Sequence, residues 1–316
     1  MVVISSSRSV RFLSFATLLN SKACMSQQPW VIDSFERLDD YRSPETSHQL
    51  RSLFGTNQPV AWITGSAADR VGRAVARRFA MHGYKIVIHA NRSVEEGERL
   101  VETWNREGIE SILISGPIDD ETVVQEWIKQ IYDRFGRLDA MVHAAAAWEP
   151  HSLETTTAKN VVDQVSINTL GTFLCAQHAG LAMVKQVTGG SIVLIGDWAI
   201  SRPYRDFAAY FASKGSIPTL TRAFAVELGE RNPKVRVNSV LPGPVKLVEG
   251  VSESTQTAIL KQCLLHREGT ADHVARAALF LAEHEFLTGV CLPVDGGRSI
   301  YSGAIADAIA HSSYFE

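Results

Sequence analysis

The sequence has few cysteines, and they lie far apart. Its 316 residues include only Cys24, Cys175, Cys263 and Cys291, and no two of these form a Cys-x-x-Cys pair. Zinc sites and disulfide frameworks need paired or regularly spaced cysteines, so neither is indicated. We predict a protein without a metal site that works in a reducing compartment, with the cytoplasm as its location.

Long apolar runs and basic clusters are also missing. No apolar stretch approaches the roughly eighteen residues of a membrane-spanning helix. The net charge is -3, the pI is about 6.4, and no block of five or six basic residues occurs. Such a surface is not attracted to nucleic acid or acidic lipid. We expect no nucleic-acid or membrane partner, and a small-molecule substrate is favoured.

The amino-terminal part of the chain shows mixed polarity and little periodicity. The first 32 residues carry three basic residues and no acidic one, as an organellar presequence does. A disordered leader, or an upstream start codon with Met25 as the real start, explains the same composition. We predict that residues 1–57 are a leader outside the core, that one domain covers residues 58–298, and that residues 299–316 form a C-terminal tail.

From Pro59 onward, short β-branched apolar runs alternate with longer amphipathic stretches. Repeated strand, helix, strand patterns need right-handed crossovers, which produce a parallel sheet with helices on both faces. The sequence therefore predicts the α/β class, with a single doubly wound, Rossmann-like parallel sheet. The predicted strands are Val60 to Thr64, Lys85 to His89, Ser111 to Ser115, Leu138 to His143, Ser191 to Ile195, Val235 to Val240 and Val290 to Val294. The stretch from Pro242 to about Gln262 breaks the alternation, and we expect a mobile substrate loop there.

Two short segments predict a dinucleotide site. Gly65 ends the first strand, and Gly72 follows Arg70 and Val71 at the start of a helix, whose free amides can hold phosphates. After the second strand come Asn91, Arg92 and Ser93, with no carboxylate before Glu95. A guanidinium and a hydroxyl suit a 2'-phosphate, so NADP(H) is favoured over NAD. Ser93 is equally well placed to cap the next helix, and the two interpretations are compatible.

A phenol and an ammonium lie four residues apart, hence on one face of a helix. They are Tyr210 and Lys214; Asp197 stands thirteen residues before the tyrosine, and Asn168 lies on the preceding long helix. The cation is expected to lower the pKa of the phenol so that it can pass a proton to a substrate.

These motifs, with the closing run Pro293 to Gly297, resemble the short-chain dehydrogenase/reductase family over residues 59 to about 298. In that family the residue thirteen before the tyrosine is ordinarily a serine. Asp197 in that place resembles the pteridine reductase and dihydromonapterin reductase branch, as do Arg70, the Arg92-Ser93 pair and Trp148 at the end of the fourth-strand motif. The resemblance implies an NADPH-dependent reductase acting on the C=N bond of a pterin-like substrate.

The resemblance also implies individual roles and a homo-oligomer, either a tetramer or a dimer. The expected catalytic residues are Asp197, Tyr210, Lys214 and Asn168, with Lys214 holding the nicotinamide ribose and Asn168 positioning Lys214 through water. The expected substrate contacts are Arg70, Trp148, Asp197 and Tyr210. The expected cofactor contacts are Gly65, Arg70, Val71, Gly72, Asn91, Arg92, Ser93, Ala144, Tyr210, Lys214, Pro242 and Gly243.

The chain departs from the family pattern in several places. Gly65 and Gly72 are seven residues apart where the family has six, and Ala144 or Ala145 replaces a structural asparagine. Pro117 stands where an aspartate contacting the adenine is expected, and Pro218 interrupts the helix that carries Tyr210.

Alternatives therefore stay open. One is a carbonyl reductase acting on 3-oxoacyl thioesters, against which Asp197 counts because a carboxylate repels a developing oxyanion unless it is protonated. Another is a catalytically silent NADP-binding regulatory protein. At single positions, Trp148 could be a core residue, Asp197 a turn residue and Arg70 a surface charge.

Overall fold

The chain folds around one parallel sheet. The computed structural model describes residues 43–245 and 252–301. Its strands are β1 (Val60–Thr64), β2 (Lys85–Ala90), β3 (Ser111–Ser115), β4 (Ala140–His143), β5 (Gly190–Ile195), β6 (Val235–Pro242) and β7 (Cys291–Val294). They pair in the order β3-β2-β1-β4-β5-β6-β7, and every neighbouring pair is parallel. The predicted fold class is confirmed.

Helices cover both faces of the sheet. They are α1 (Pro44–Phe54), α2 (Val71–Met81), α3 (Val94–Arg106), α4 (Glu121–Phe135), α5 (Ala158–Val165), α6 (Gly171–Val184), α7 (Ala208–Lys214), α8 (Ile217–Arg231), α9 (Glu253–Lys261) and α10 (Ala271–Glu283), with a π-helical turn at Ser166–Leu170 and a 3-10 turn at Trp198–Ile200. Helices α2, α3 and α10 pack on one face, and α4, α6 and α8 pack on the other. None of the helices in the described residues is long and apolar enough to cross a membrane.

The core is anchored on the central strands. All five residues of β1 are buried, and the Trp62 ring meets the Trp127 ring of α4 edge to face at 6.1 Å. At the amino edge of the sheet, buried Asp139 accepts a 2.8 Å hydrogen bond from Val60 N and two 2.7 Å bonds from Arg137. A buried carboxylate is tolerated only when it is paired in this way. These contacts fix β1 beside β4, where the order of the strands reverses.

Helix α1 lies within the stretch predicted to be a leader. Residues 44–54 form this helix, which Ser43 caps by accepting a 3.2 Å bond from Thr46 N. Leu50 and Phe54, four residues apart on one face, are 1% and 2% exposed. This part of the segment therefore packs against the domain instead of lying outside the core. Residues 1–42 and 302–316 lie outside the described residues, and the domain boundaries as a whole stay a prediction.

Two further segments differ from the sequence-based expectation. Part of the expected substrate loop is helix α9, which Ser252 caps by accepting a bond from Thr255 N, while residues 246–251 lie outside the described range. Pro218 does not break one long helix. The chain ends α7 at Lys214 and starts α8 at Ile217, so the proline occupies a first turn, where its missing amide is not needed.

Candidate active site

The turn from β1 to α2 is tightly packed around two glycines. Gly65 has a φ of +64°, and a Cβ on it would lie 2.8 Å from the Cα of Ala145. A Cβ on Gly72 would lie 2.4 Å from the carbonyl oxygen of Gly65. Both positions therefore need glycine, as expected for a turn whose backbone closely approaches helix and sheet.

The amino terminus of α2 opens onto this turn. Its first intrahelical bond is accepted by the Arg70 carbonyl, so the amides of residues 71–73 have no intrahelical acceptors. The Arg73 side chain donates to Ala67 O and, at 2.6 Å, to Glu96 Oε1. The turn is thus braced from α2 to α3, a role for Arg73 that the sequence did not indicate.

The predicted 2'-phosphate contacts follow β2. Asn91 and Arg92 are exposed, and Ser93 occupies the N-cap position of α3. The Ser93 hydroxyl makes no capping hydrogen bond there. Ser93 therefore stands at the expected N-cap position but does not make the expected capping hydrogen bond. Its hydroxyl is available to a ligand.

The predicted chemical groups converge where β5 ends and α7 begins. The Tyr210 hydroxyl donates a 2.7 Å hydrogen bond to Asp197 Oδ2, and Asp197 Oδ1 accepts a 2.8 Å bond from Ala199 N. Lys214 Nζ donates to Ile195 O at 2.8 Å, two residues before Asp197. Tyr210 and Lys214 are 5% and 3% exposed. Asp197 caps the 3-10 turn, as the turn-residue interpretation expects, and it is also the hydrogen-bond partner of the phenol, so its catalytic role stays a prediction.

Burial changes the proton affinities of this cluster. Desolvation raises the pKa of Asp197, opposed by hydrogen bonds from Ala199 N and Tyr210 and by the charges of Lys214 and Arg298. Desolvation and the Asp197 carboxylate raise the pKa of Tyr210. The expectation that Lys214 lowers the pKa of the phenol is therefore wrong, because the carboxylate accepts from the hydroxyl and disfavours its ionisation. Desolvation lowers the pKa of Lys214 to about 8, and the Asp197 charge opposes this change.

Asn168 lies in the π-helical turn and is fully buried. Its Oδ1 accepts from Ala147 N at 2.9 Å, and its Nδ2 lies 2.9 Å from Ala147 O and from Ser213 Oγ. π-Helical turns often occur at functional sites. Asn168 thus joins the loop after β4 to the residue next to Lys214, without a direct contact to the lysine itself.

Trp148 is not a core residue: it is 44% exposed. Its ring stacks on Phe207 with centroids 4.7 Å apart, and its Nε1 donates to the Tyr204 hydroxyl at 3.3 Å. Phe207 in turn meets the Tyr210 ring edge to face at 6.3 Å. We call Trp148, Tyr204 and Phe207 the aromatic wall. Sequence reasoning missed two of its members, although aromatic residues recur at positions 204, 207, 210 and 211.

The loop before α7 is held in an unusual conformation. Asp206 has a φ of +67°, rare for a residue other than glycine, and its carbonyl accepts a 2.7 Å bond from His151 N. Strained residues of this kind are often found at functional sites. This link fastens the loop carrying Phe207 to the loop carrying Trp148.

The remaining predicted residues are spread along the same edge. Ala144 N donates to Thr64 Oγ1 at 3.0 Å, and Gly243 N donates to Val294 O at 2.9 Å directly after Pro242. Arg70 is exposed, and within the described residues its side chain makes no hydrogen bond or ion pair with the other predicted substrate contacts. The structure therefore does not bring Arg70 into the cluster.

A cavity of about 380 Å³ lies further along this edge, beside the ends of β6 and β7. Its described lining includes Pro244, Leu264 and Val294, and none of the predicted catalytic residues. This cavity therefore does not contain the cluster of Tyr210, Lys214 and Asp197. The described residues contain no cluster of three or more potential metal ligands.

The residues present fit a nicotinamide dinucleotide. A Cβ on Gly65 or Gly72 would close the space in this turn, and the amides of residues 71–73 have no intrahelical acceptors; both features suit a pyrophosphate. The buried Lys214 ammonium lies on the same edge, at the end of β5, and can donate to ribose hydroxyls. The site thus has the layout of a dinucleotide-dependent oxidoreductase on a doubly wound sheet.

Comparison with known proteins agrees with this class. Residues 65–299 match a family model described as enoyl-(acyl carrier protein) reductase. The chain is 30% identical over 244 residues to the Staphylococcus aureus 3-oxoacyl-[acyl-carrier-protein] reductase FabG, covering 75% of this chain and 96% of that protein. It is 34% identical over 230 residues to the Bos taurus 3-oxoacyl-[acyl-carrier-protein] reductase, covering 73% and 94%. The crystal structure of gox2181 superposes with a TM-score of 0.71 at 26% identity, covering 77% and 96%.

The chain belongs to the short-chain dehydrogenase/reductase family and is an NAD(P)-dependent oxidoreductase. The family prediction is thereby confirmed, whereas these relatives do not single out the pteridine reductase branch. They correspond to the alternative that the sequence left open, the 3-oxoacyl reductases.

Proposed function

We propose that this chain is an NADPH-dependent reductase of a C=N bond in a flat, pterin-like heterocycle. The single observation that carries the proposal is the 2.7 Å hydrogen bond from the Tyr210 hydroxyl to Asp197. It puts a carboxylate where relatives of this family ordinarily have a serine hydroxyl.

A carboxylate selects its ligand by what it can accept. Asp197 uses one lone pair of each oxygen for Ala199 N and Tyr210, and a second lone pair on each is left for a ligand donor. Pterin-like heterocycles carry N-H groups beside their C=N bonds. A 3-oxoacyl thioester presents only acceptors at its keto group, and a carboxylate repels the charge that develops there.

The aromatic wall supports a flat substrate. Trp148 is stacked on Phe207 and still 44% exposed, so its ring surface can receive a planar ring. Offset stacking between aromatic systems adds to the energy of burial.

Each catalytic residue has a distinct task in this proposal. Tyr210 gives its hydroxyl proton to the substrate nitrogen, and Asp197 holds the phenol and the substrate N-H in place. Lys214, anchored on Ile195 O, holds a ribose, and Asn168 fixes the loop beside it. Bound NADPH supplies the hydride.

The cofactor preference rests on the residues after β2. Arg92 and the uncapped Ser93 hydroxyl can bind a 2'-phosphate, and no acidic residue stands there to bind a 2'-hydroxyl. The homo-oligomeric state and the cytoplasmic location stay predictions.

A second candidate is the reduction of a 3-oxoacyl thioester. It is favoured by the relatives, two of which are named 3-oxoacyl-[acyl-carrier-protein] reductases. In this case Asp197 would have to be protonated, a form that its raised pKa favours.

The two candidates can be separated with one panel. Purified chain and NADPH are mixed in turn with dihydromonapterin, dihydrobiopterin and an acetoacetyl thioester, and kcat/KM is measured for each. We expect the dihydropterins to be better substrates by about tenfold or more, since a mispaired buried polar group costs about 1–3 kcal/mol. A higher kcat/KM for the thioester would establish the second candidate. If none of the three compounds supports NADPH oxidation, both substrate classes are excluded.

A further inference from the structure

His89 lies near the end of β2 and touches the turns that follow two other strands. Its side chain is 2% exposed. Its Nδ1 accepts a 3.0 Å hydrogen bond from Gly65 N, after β1, and its Nε2 lies 3.0 Å from Gly116 O, after β3. One imidazole thus connects the ends of the three strands that would surround the adenosine half of a dinucleotide.

These contacts fix the protonation of the ring. Because Gly65 N is a donor, Nδ1 must be an acceptor, and because Gly116 O is an acceptor, Nε2 carries the hydrogen. Burial lowers the pKa of His89 to about 4, which keeps the ring neutral near pH 7. The ring also packs edge to face on Trp127, with centroids 4.8 Å apart.

The backbone of His89 holds the same turn. Its carbonyl accepts from Ser66 N at 3.1 Å and Ala67 N at 3.3 Å, and its amide donates to Ser66 Oγ at 3.2 Å. Ser66 Oγ in turn donates to Ile63 O. Residues 65–67 are therefore fastened to β2 before the turn continues toward α2.

We propose that His89 is a positioning residue for the dinucleotide, which sets cofactor affinity by holding the Gly65 amide in the phosphate-binding turn. The turn between Gly65 and Gly72 is one residue longer than the family spacing, and a longer loop has more conformations to lose on binding. His89 supplies the restraint. The inference rests on the proposed dinucleotide site and goes beyond it by assigning a role to a residue that touches no reacting atom.

Two substitutions by uncharged amide side chains each keep one of the two hydrogen bonds of the ring and remove the other. In His89→Asn, Oδ1 can occupy the position of Nδ1 and accept from Gly65 N. In His89→Gln, Nε2 can occupy the position of the ring Nε2 and donate to Gly116 O, while Gly65 N loses its acceptor. The control is Tyr132→Phe, which removes a 2.8 Å bond to Gln186 at the opposite, amino-terminal edge of the sheet.

Dissociation constants for NADPH and NADH are measured by isothermal titration calorimetry, which needs no substrate. We expect His89→Gln to weaken both dinucleotides by the same factor, about tenfold or more, since an orphaned buried amide is costly. His89→Asn and Tyr132→Phe are expected to stay within about threefold of the natural chain.

Three outcomes would overturn this role: equal affinities in the Asn and Gln variants, unchanged affinity in the Gln variant, or a changed ratio of NADPH to NADH affinity. If the natural chain bound neither dinucleotide, both the role of His89 and the proposed function would fail. If dinucleotides bind as expected but no substrate of the panel is reduced, only the substrate assignment fails and the role of His89 stands.

Discussion

Asp197 and Tyr210 are thirteen residues apart in sequence and share a 2.7 Å hydrogen bond between Oδ2 and the phenolic hydroxyl. The contact forms because β5 ends just before Asp197 and the twelve residues between β5 and α7 bring the start of α7 back to the same edge of the sheet. Burial raises the pKa of both groups, which favours the neutral form of each.

Replacing Asp197 by serine should change the substrate preference. Asp197→Ser removes the acceptor for a ligand N-H and supplies a hydroxyl that can donate to an oxyanion. We expect the ratio of kcat/KM for the acetoacetyl thioester to that for dihydromonapterin to rise by about tenfold or more. Steady-state NADPH oxidation measures both values, with Asp197→Asn as the control for charge alone. If neither Asp197→Ser nor Asp197→Asn changed kcat/KM for dihydromonapterin, the carboxylate would not contact the substrate.

The activity should decline at alkaline pH. The pKa of Lys214 is lowered to about 8, so the ammonium is charged below that pH and loses its proton above it. kcat/KM is therefore expected to fall as the pH rises through about 8. Because the charge of Asp197 opposes the lowering, Asp197→Asn should move this decline to lower pH. A decline at the same pH in both proteins would remove Lys214 as its cause.

Arg92 should control the choice of cofactor. Arg92→Asp replaces a partner of the 2'-phosphate by a carboxylate that repels it and can accept from a 2'-hydroxyl. We expect NADPH affinity to drop by about tenfold to a hundredfold, with NADH affinity kept or improved. Calorimetry provides both constants. Arg99→Asp, a matched change on an exposed residue of α3, should leave the ratio alone.

The fold should depend on the ion pair between buried Asp139 and partly buried Arg137. Asp139→Ala leaves Arg137 and the Val60 amide without their shared acceptor. The expected loss is about 3–5 kcal/mol in the free energy of unfolding, measured by urea denaturation. Asp133→Ala on the exposed face of α4 should change it by less than about 0.5 kcal/mol. Similar values for the two variants would mean that the pair does not anchor β1.

The parallel sheet and the placement of Tyr210 and Lys214 on one helical face could be predicted because local patterns specify them. Alternating strands and helices dictate a parallel sheet, and Tyr210 and Lys214 lie on one helical face whatever surrounds them. Asp197 and Tyr210 are in contact because both lie at the carboxyl edge of the sheet.

The remaining features depend on packing between distant segments. Whether α1 packs depends on Leu50 and Phe54 reaching an apolar surface, part of which is Tyr84, thirty residues further along the chain. The pKa of Tyr210 depends on which group accepts from its hydroxyl, and its spacing from Lys214 does not reveal that acceptor. The bond from Gly65 to His89 crosses from one strand end to another and has no local signal.

The most direct test of the central claim is the turnover of Tyr210→Phe with dihydromonapterin at saturating NADPH. The account predicts a loss of about a hundredfold to ten-thousandfold in kcat, with the dissociation constant for NADPH nearly unchanged, because only the proton donor is removed. Turnover close to that of the natural chain would contradict it, since the phenol beside Asp197 would then have no part in the reaction.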